Sequence, residues 1–201
     1  MTLLAITEEV IRTDSGGGII TDENKLDSDF IQSLVHEYRA KAIWDSWQRT
    51  RRINPVWTQQ FIPEFEPDLQ ESKDFVKFAC PPVVSLDDKR DGFLYIGTIE
   101  GDFAFRKVIS RADLANKNRH RFTKKRPKAL YSDGFLEIHG NIREIKVDAI
   151  FSNPTDIPTY NIEFDNYPIS DDILVLMKAI LFQTQTSVIE SKPADVISDS
   201  L

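Results

Sequence analysis

The apolar pattern of this chain changes period at Asn54-Pro55, and that change limits it to folds that join helices to strands. Upstream, Phe30, Ile31, Leu34, Val35, Tyr38 and Ala42, followed by Asp45, step by three and four, the spacing of one buried helix face. The predicted helix starts at Asp27 or Ser28, since either side chain can accept from first-turn amides, and Asp29 suits the positive end of the dipole. It runs to about Trp47 and stops before Asn54-Pro55, because the residue preceding a proline avoids helical angles. His36, Glu37, Arg39 and Lys41 are placed on its far face. Arg49, Arg51 and Arg52 follow at its C-terminal end, where the dipole favours cations.

Downstream the period is two. Trp57, Gln59, Phe61, Pro63 and Phe65 point one way and Thr58, Gln60, Ile62, Glu64 and Glu66 the other, a strand that ends at an edge or bulge because Pro63 cannot donate to a ladder. Residues 75–78 form another short strand, closed by Pro81-Pro82. Residues 93–97 and 103–109 flank Glu100-Gly101-Asp102 and predict a hairpin. Residues 129–131 and 135–138 flank Ser132-Asp133-Gly134 and predict a second, since Asp-Gly suits a turn whose central residues take positive φ. Ile145, Val147, Ala149 and Phe151 alternate with Lys146, Asp148 and Ile150 in a last strand. Short turns with no helix between the strands predict an antiparallel β-meander and not a βαβ array.

The ends complete an α+β fold with N-terminal helices, a C-terminal helix and an extended tail. Leu3, Leu4, Ile6, Val10 and Ile11 give residues 2–13 an amphipathic helix, and Gly16-Gly17-Gly18 after it act as a linker. That helix is expected to dock away from the β-domain or on a neighbouring molecule, so that deleting residues 1–13 leaves the fold intact. Ser170 caps the last helix, with Asp171 and Asp172 at its positive end and Ile173, Met177, Ile180, Leu181 and Thr184 on its core face. The expected organisation is an arm and linker over 1–18, a single α+β domain over 19–188 and a flexible tail over 189–201.

The chemistry is poor in catalytic motifs. One cysteine, Cys80, excludes an intrachain disulfide framework, and with only His36, His120 and His139 beside it structural zinc is nearly excluded. Cys80 lies before Pro81-Pro82 at an apolar strand end and reads as a buried structural thiol. The glycine run is followed by no Lys-Ser or Lys-Thr pair, so it is no phosphate loop, and no Gly-x-Ser-x-Gly elbow is present. Asp87-Asp88 and Asp171-Asp172 are adjacent pairs that do not share a face; a turn and a helix start account for them. No catalytic, metal or cofactor residues are expected, and no small-molecule substrate. No stretch has the roughly 18 to 20 apolar residues of a membrane span, and Glu8 and Glu9 do not suit a signal peptide.

Charge is more informative. The chain carries 25 basic and 32 acidic side chains, a net of -7. Between Phe103 and Lys128 there are ten cations and one acid, Asp113, so that segment is +9 and the remainder -16. Arg106, Lys107, Arg111, Arg119, Arg121, Lys124, Lys125, Arg126 and Lys128 are the candidate interface residues drawn from it. Three readings compete: a solvated basic loop, a contact for DNA phosphates, and a surface that attracts the acidic part of another copy. Phe103, Phe105 and Phe122 could stack on bases, but Phe103 and Phe105 alternate with Ala104 and Arg106 as core residues do, and the acidic remainder disfavours DNA.

The order of motifs also resembles a known family. Leu34-Val35-His36-Glu37-Tyr38-Arg39-Ala40, Asp91-Gly92-Phe93-Leu94-Tyr95-Ile96-Gly97, Ser110-Arg111-Ala112-Asp113-Leu114-Ala115, Asn118-Arg119-His120-Arg121-Phe122, Tyr131-Ser132-Asp133-Gly134, Val147-Asp148-Ala149-Ile150-Phe151-Ser152-Asn153-Pro154 and Tyr167-Pro168-Ile169-Ser170 follow one another across about 26–185. This is similar to the connector or tail ring proteins of crAss-like short-tailed bacteriophages, and more loosely to the adaptor or tail tubular proteins beneath a portal. The resemblance implies a virion structural protein of the neck or tail, assembled in the bacterial host cytoplasm. It implies a ring of about twelve copies contacting portal protein and neighbouring ring or tail proteins, with viral DNA passing through its channel. It implies no enzyme activity, cofactor or membrane. The alternative is a DNA-contacting accessory protein that binds phosphates through 106–128; an unrecognised hydrolase is the third.

Overall fold

The computed structural model describes residues 1–14, 28–64, 75–87, 90–115, 126–140 and 144–190. They form two compact units: a helical one from 1–49 and 161–201, and a β unit from 50–160. The class is α+β, as the change of period requires.

The helical unit contains α1 (Leu3–Asp14), most of α2 (Ser28–Thr50) and the last helix (Asp171–Glu190). In α1, Leu3, Ile6 and Val10 are fully buried, one face at steps of three and four. Lys178 of the last helix reaches Glu9 of α1 at 2.6 Å. The N-terminal helix is therefore part of the core of the helical unit, a placement that argues against its removal leaving the fold intact. In α2 the buried stripe is Ile31, Val35, Arg39, Ala42, Ile43 and Trp47. This is rotated from the predicted face: Phe30 is exposed, and Arg39, assigned to the far side, is completely buried. The helix ends on Arg51 at φ 54, the left-handed residue that commonly closes a helix, and Asn54 then caps a 3-10 turn by accepting from the Val56 amide at 3.1 Å.

The β unit has two main sheets. In one, β1 (Gln59–Phe61) and β5 (Phe93–Gly97) flank β9 (Lys146–Ala149), both antiparallel. In the other, the order is β2 (Phe75–Ala79), β8 (Phe135–His139), β7 (Lys128–Ser132) and β6 (Arg106–Val108). A two-stranded pair, β3 (Ser85–Asp87) and β4 (Arg90–Asp91), was not foreseen. Both main sheets contribute to one core: Phe61, Ile96, Val147 and Ala149 from the first, and Ala129, Leu136 and Ile138 from the second, with Phe105 and Phe151.

The Asp-Gly hairpin forms as predicted between β7 and β8, with Asp133 at φ 54 and Gly134 at φ 76. The other predicted hairpin does not extend. Between 93–97 and 103–109 only Gly97 and Ala104 make a bridge, supported by the Phe105 amide on the Ile96 carbonyl at 2.7 Å. β5 then pairs with β9, while β6 leaves for the other sheet and runs parallel to β7. A parallel neighbour requires a crossover, and α3 (Arg111–Ala115) lies within it. The expectation of no helix between strands is thus corrected at this one connection, which is also the basic segment.

Candidate subunit interface

α3 is short, and its position is set by three interactions. Ser110 accepts from the Asp113 amide at 3.3 Å and donates to the Asp113 carboxylate at 3.1 Å, which opens the helix. Leu114 packs with Val108 and Leu130 in a small cluster, separate from the main core. The Lys128 ammonium donates to the Asp113 and Leu114 carbonyls at 3.0 and 3.2 Å and so closes the helix end. Lys128 is a fold residue.

The other candidates divide in the same way. Lys107 forms an ion pair with Asp91 and lies 5.2 Å from the Phe93 ring centre, and burial lowers the pKa of its ammonium. Arg111 reaches the buried Glu137 at 3.2 Å, yet its side chain is 75% exposed. Glu137 also faces Lys77 at 3.8 Å and His139 at 3.8 Å, so its carboxylate is compensated from several sides. The Arg126 guanidinium lies 5.7 Å from the Phe103 ring centre. Arg106 is exposed on β6. Arg119, Arg121, Lys124 and Lys125 lie outside the described residues, as does His120. Arg106, Arg111 and Arg126 therefore present charge outward, whereas Lys107 and Lys128 are held by internal partners.

Three features were missed in the sequence reading. First, charge divides by unit. The helical unit holds 7 basic and 16 acidic side chains, a net of -9; the β unit holds 18 and 16, a net of +2. Because the helical unit is assembled from both ends of the chain, a scan along the sequence does not group these acids. Secondly, the last helix, α4, is apolar on two faces. Ile173, Met177 and Leu181 are buried, while Val175 is 68% and Leu176 39% exposed. Thirdly, two large apolar side chains are left almost fully exposed, Ile109 at 84% and Phe164 at 79%. Single apolar residues on a surface are ordinary, but in sequence these two are flanked by charges of opposite sign, Glu163 and Asp165 beside Phe164 and the cations of 106–111 beside Ile109.

Cys80, His36 and His139 lie among the described residues, each with a packing or hydrogen-bonding partner in its own chain. Cys80 is buried, and burial pushes its thiol up to about 12, so it is held protonated. His139 stacks on Phe75 with ring centres 5.0 Å apart. His36 shares a 2.8 Å hydrogen bond with the Tyr167 hydroxyl, and burial together with the neighbouring Arg39 lowers its pKa to about 4. Among the described residues there is no group of three or more His, Cys, Asp or Glu that could hold a metal, and no helix is long and apolar enough to cross a membrane.

A protein-family model described as phage tail ring protein 2 matches residues 11–200. No curated protein matches the chain.

Proposed function

Because the chain belongs to the phage tail ring protein 2 family of crAss-like phages, a family of virion tail components, we propose that it is a connector subunit that joins the portal to the tail. In this reading about twelve copies, assembled in the host cytoplasm, close a ring around the path of DNA exit. The family match is the observation that carries the proposal. Two further features support it. A closed ring needs a heterologous contact, with different patches on the two sides of each subunit. The acidic helical unit and the outward cations of the β unit, Arg106, Arg111 and Arg126, carry charge of opposite sign, as the two partners in such a contact would.

A largely acidic ring would also let DNA pass without holding it. Electron microscopy of the purified chain mixed with portal protein tests the connector role. Closed rings seated on the portal are expected. Rings that form but never associate with portal would place the protein elsewhere in the tail. A monomer that binds duplex DNA would favour the accessory role through 106–128.

A further inference from the structure

We infer that Phe164 is the anchor of the contact between ring subunits, seated on the next copy's β unit at Ile109, within the cationic stretch 106–111. The inference rests on the ring reading above and names the surfaces involved.

Ile109 and Phe164 are the two most exposed large apolar side chains among the described residues, one in each unit. Phe164 stands between Glu163 and Asp165, whereas Ile109 stands between Arg106 and Arg111. An aromatic flanked by acids and an aliphatic flanked by cations complement each other in both shape class and sign. Neither is covered by its own unit among the described residues. Aromatic side chains, Phe among them, are enriched in the buried core of interfaces, and charges around them set orientation.

The loop that presents Phe164 is already ordered. The Asn161 side-chain oxygen accepts from the Glu163 amide at 2.9 Å and the Phe164 amide at 3.3 Å. The Asp165 carboxylate accepts from the Asn161 amide at 2.7 Å, and the Asp165 amide donates to the Asn161 carbonyl at 2.9 Å. Asn166 then bridges to Thr2, and the Leu4 amide donates to the Ile162 carbonyl at 3.4 Å. On the other side Ile109 follows β6 directly, and Ser110 begins α3. Two pre-ordered surfaces lose little further freedom on meeting, which favours an exposed aromatic as an anchor and not as a flexible accident.

The test uses the full chain. Phe164→Ala and Ile109→Ser should each weaken self-association on the order of tenfold or more, read by sedimentation, with thermal unfolding unchanged because both side chains are exposed. Next, a Phe164→Cys copy and an Ile109→Cys copy are mixed and treated with a short bis-maleimide. A cross-linked pair should appear in the mixture and with neither variant alone; Cys80 is buried and does not compete. Normal assembly of Phe164→Ala overturns the inference while leaving the ring reading standing. So does cross-linking of Phe164→Cys copies to each other, or a defect confined to binding another tail protein. Wild-type protein that never self-associates, alone or with portal, removes both.

Discussion

Arg39 is a complete guanidinium side chain inside the helical unit, and its burial is tolerable because its groups are used. Its Nε donates to the Pro168 carbonyl at 2.8 Å and its guanidinium carbon lies 5.5 Å from the Tyr167 ring centre. Removing it leaves a buried carbonyl without its donor and a cavity beside an aromatic ring. Arg39→Ala should therefore lower stability by about 2–4 kcal/mol, measured by urea unfolding. The neighbouring His36 gives a prediction with a definite sign. Its pKa is lowered to about 4 in the folded protein, against 6.5 for an ordinary histidine. Between those values the unfolded chain takes up a proton that the folded chain refuses, so proton binding favours unfolding. This stabilising contribution is complete above about pH 6.5 and declines as pH falls towards 4. Unfolding midpoints for His36→Gln should show a shallower slope across that window than the parent protein; an unchanged slope would remove His36 as its source.

At the scale of elements, α1 is the clearest case in which local sequence misled. Three glycines after an amphipathic helix imply decoupling, yet Leu3, Ile6 and Val10 are fully buried and Glu9 meets Lys178. Fully burying each such side chain is worth about 1.5–3 kcal/mol, so losing three is comparable with the whole stability of a domain. Deleting residues 1–13 is expected to unfold the helical unit, seen as a loss of helical circular dichroism beyond the twelve residues of α1 itself; a native-like remainder would contradict this placement. The change of period, the Asp133-Gly134 hairpin, the span of α2 and the start of the last helix at Asp171 were all legible, because each depends on neighbours close in sequence. Strand partners were not. β6 chooses the edge of β7 over β5 through contacts far along the chain, and nothing in 103–109 encodes that choice locally. Arg39 was half legible: it lies eight residues after Ile31 and four after Val35, on the buried stripe, but its charge argued for the surface. Lys128 looked like one more cation of the basic run until its ammonium was found at the end of α3.

At the scale of the whole molecule, charge divides between the helical unit, at -9, and the β unit, at +2. One exposed ion pair is worth about 0–1 kcal/mol, so no single substitution among the outward cations should matter much. Several acting together steer the encounter of subunits and fix their order. Salt weakens both a protein contact of this kind and a DNA contact, so salt sensitivity does not separate them. The most direct measurement reverses Arg106, Lys124, Lys125 and Arg126 to Glu together, leaving Lys107 and Lys128 in place because internal partners hold them, and Arg111 because, though exposed, it also neutralises the buried Glu137. The variant and the parent protein are then compared for ring assembly by sedimentation and electron microscopy, and for affinity to duplex DNA. Assembly should be lost while DNA affinity is negligible before and after; normal assembly, together with strong DNA binding by the parent that the variant loses, would contradict a role of these cations in contacts between subunits.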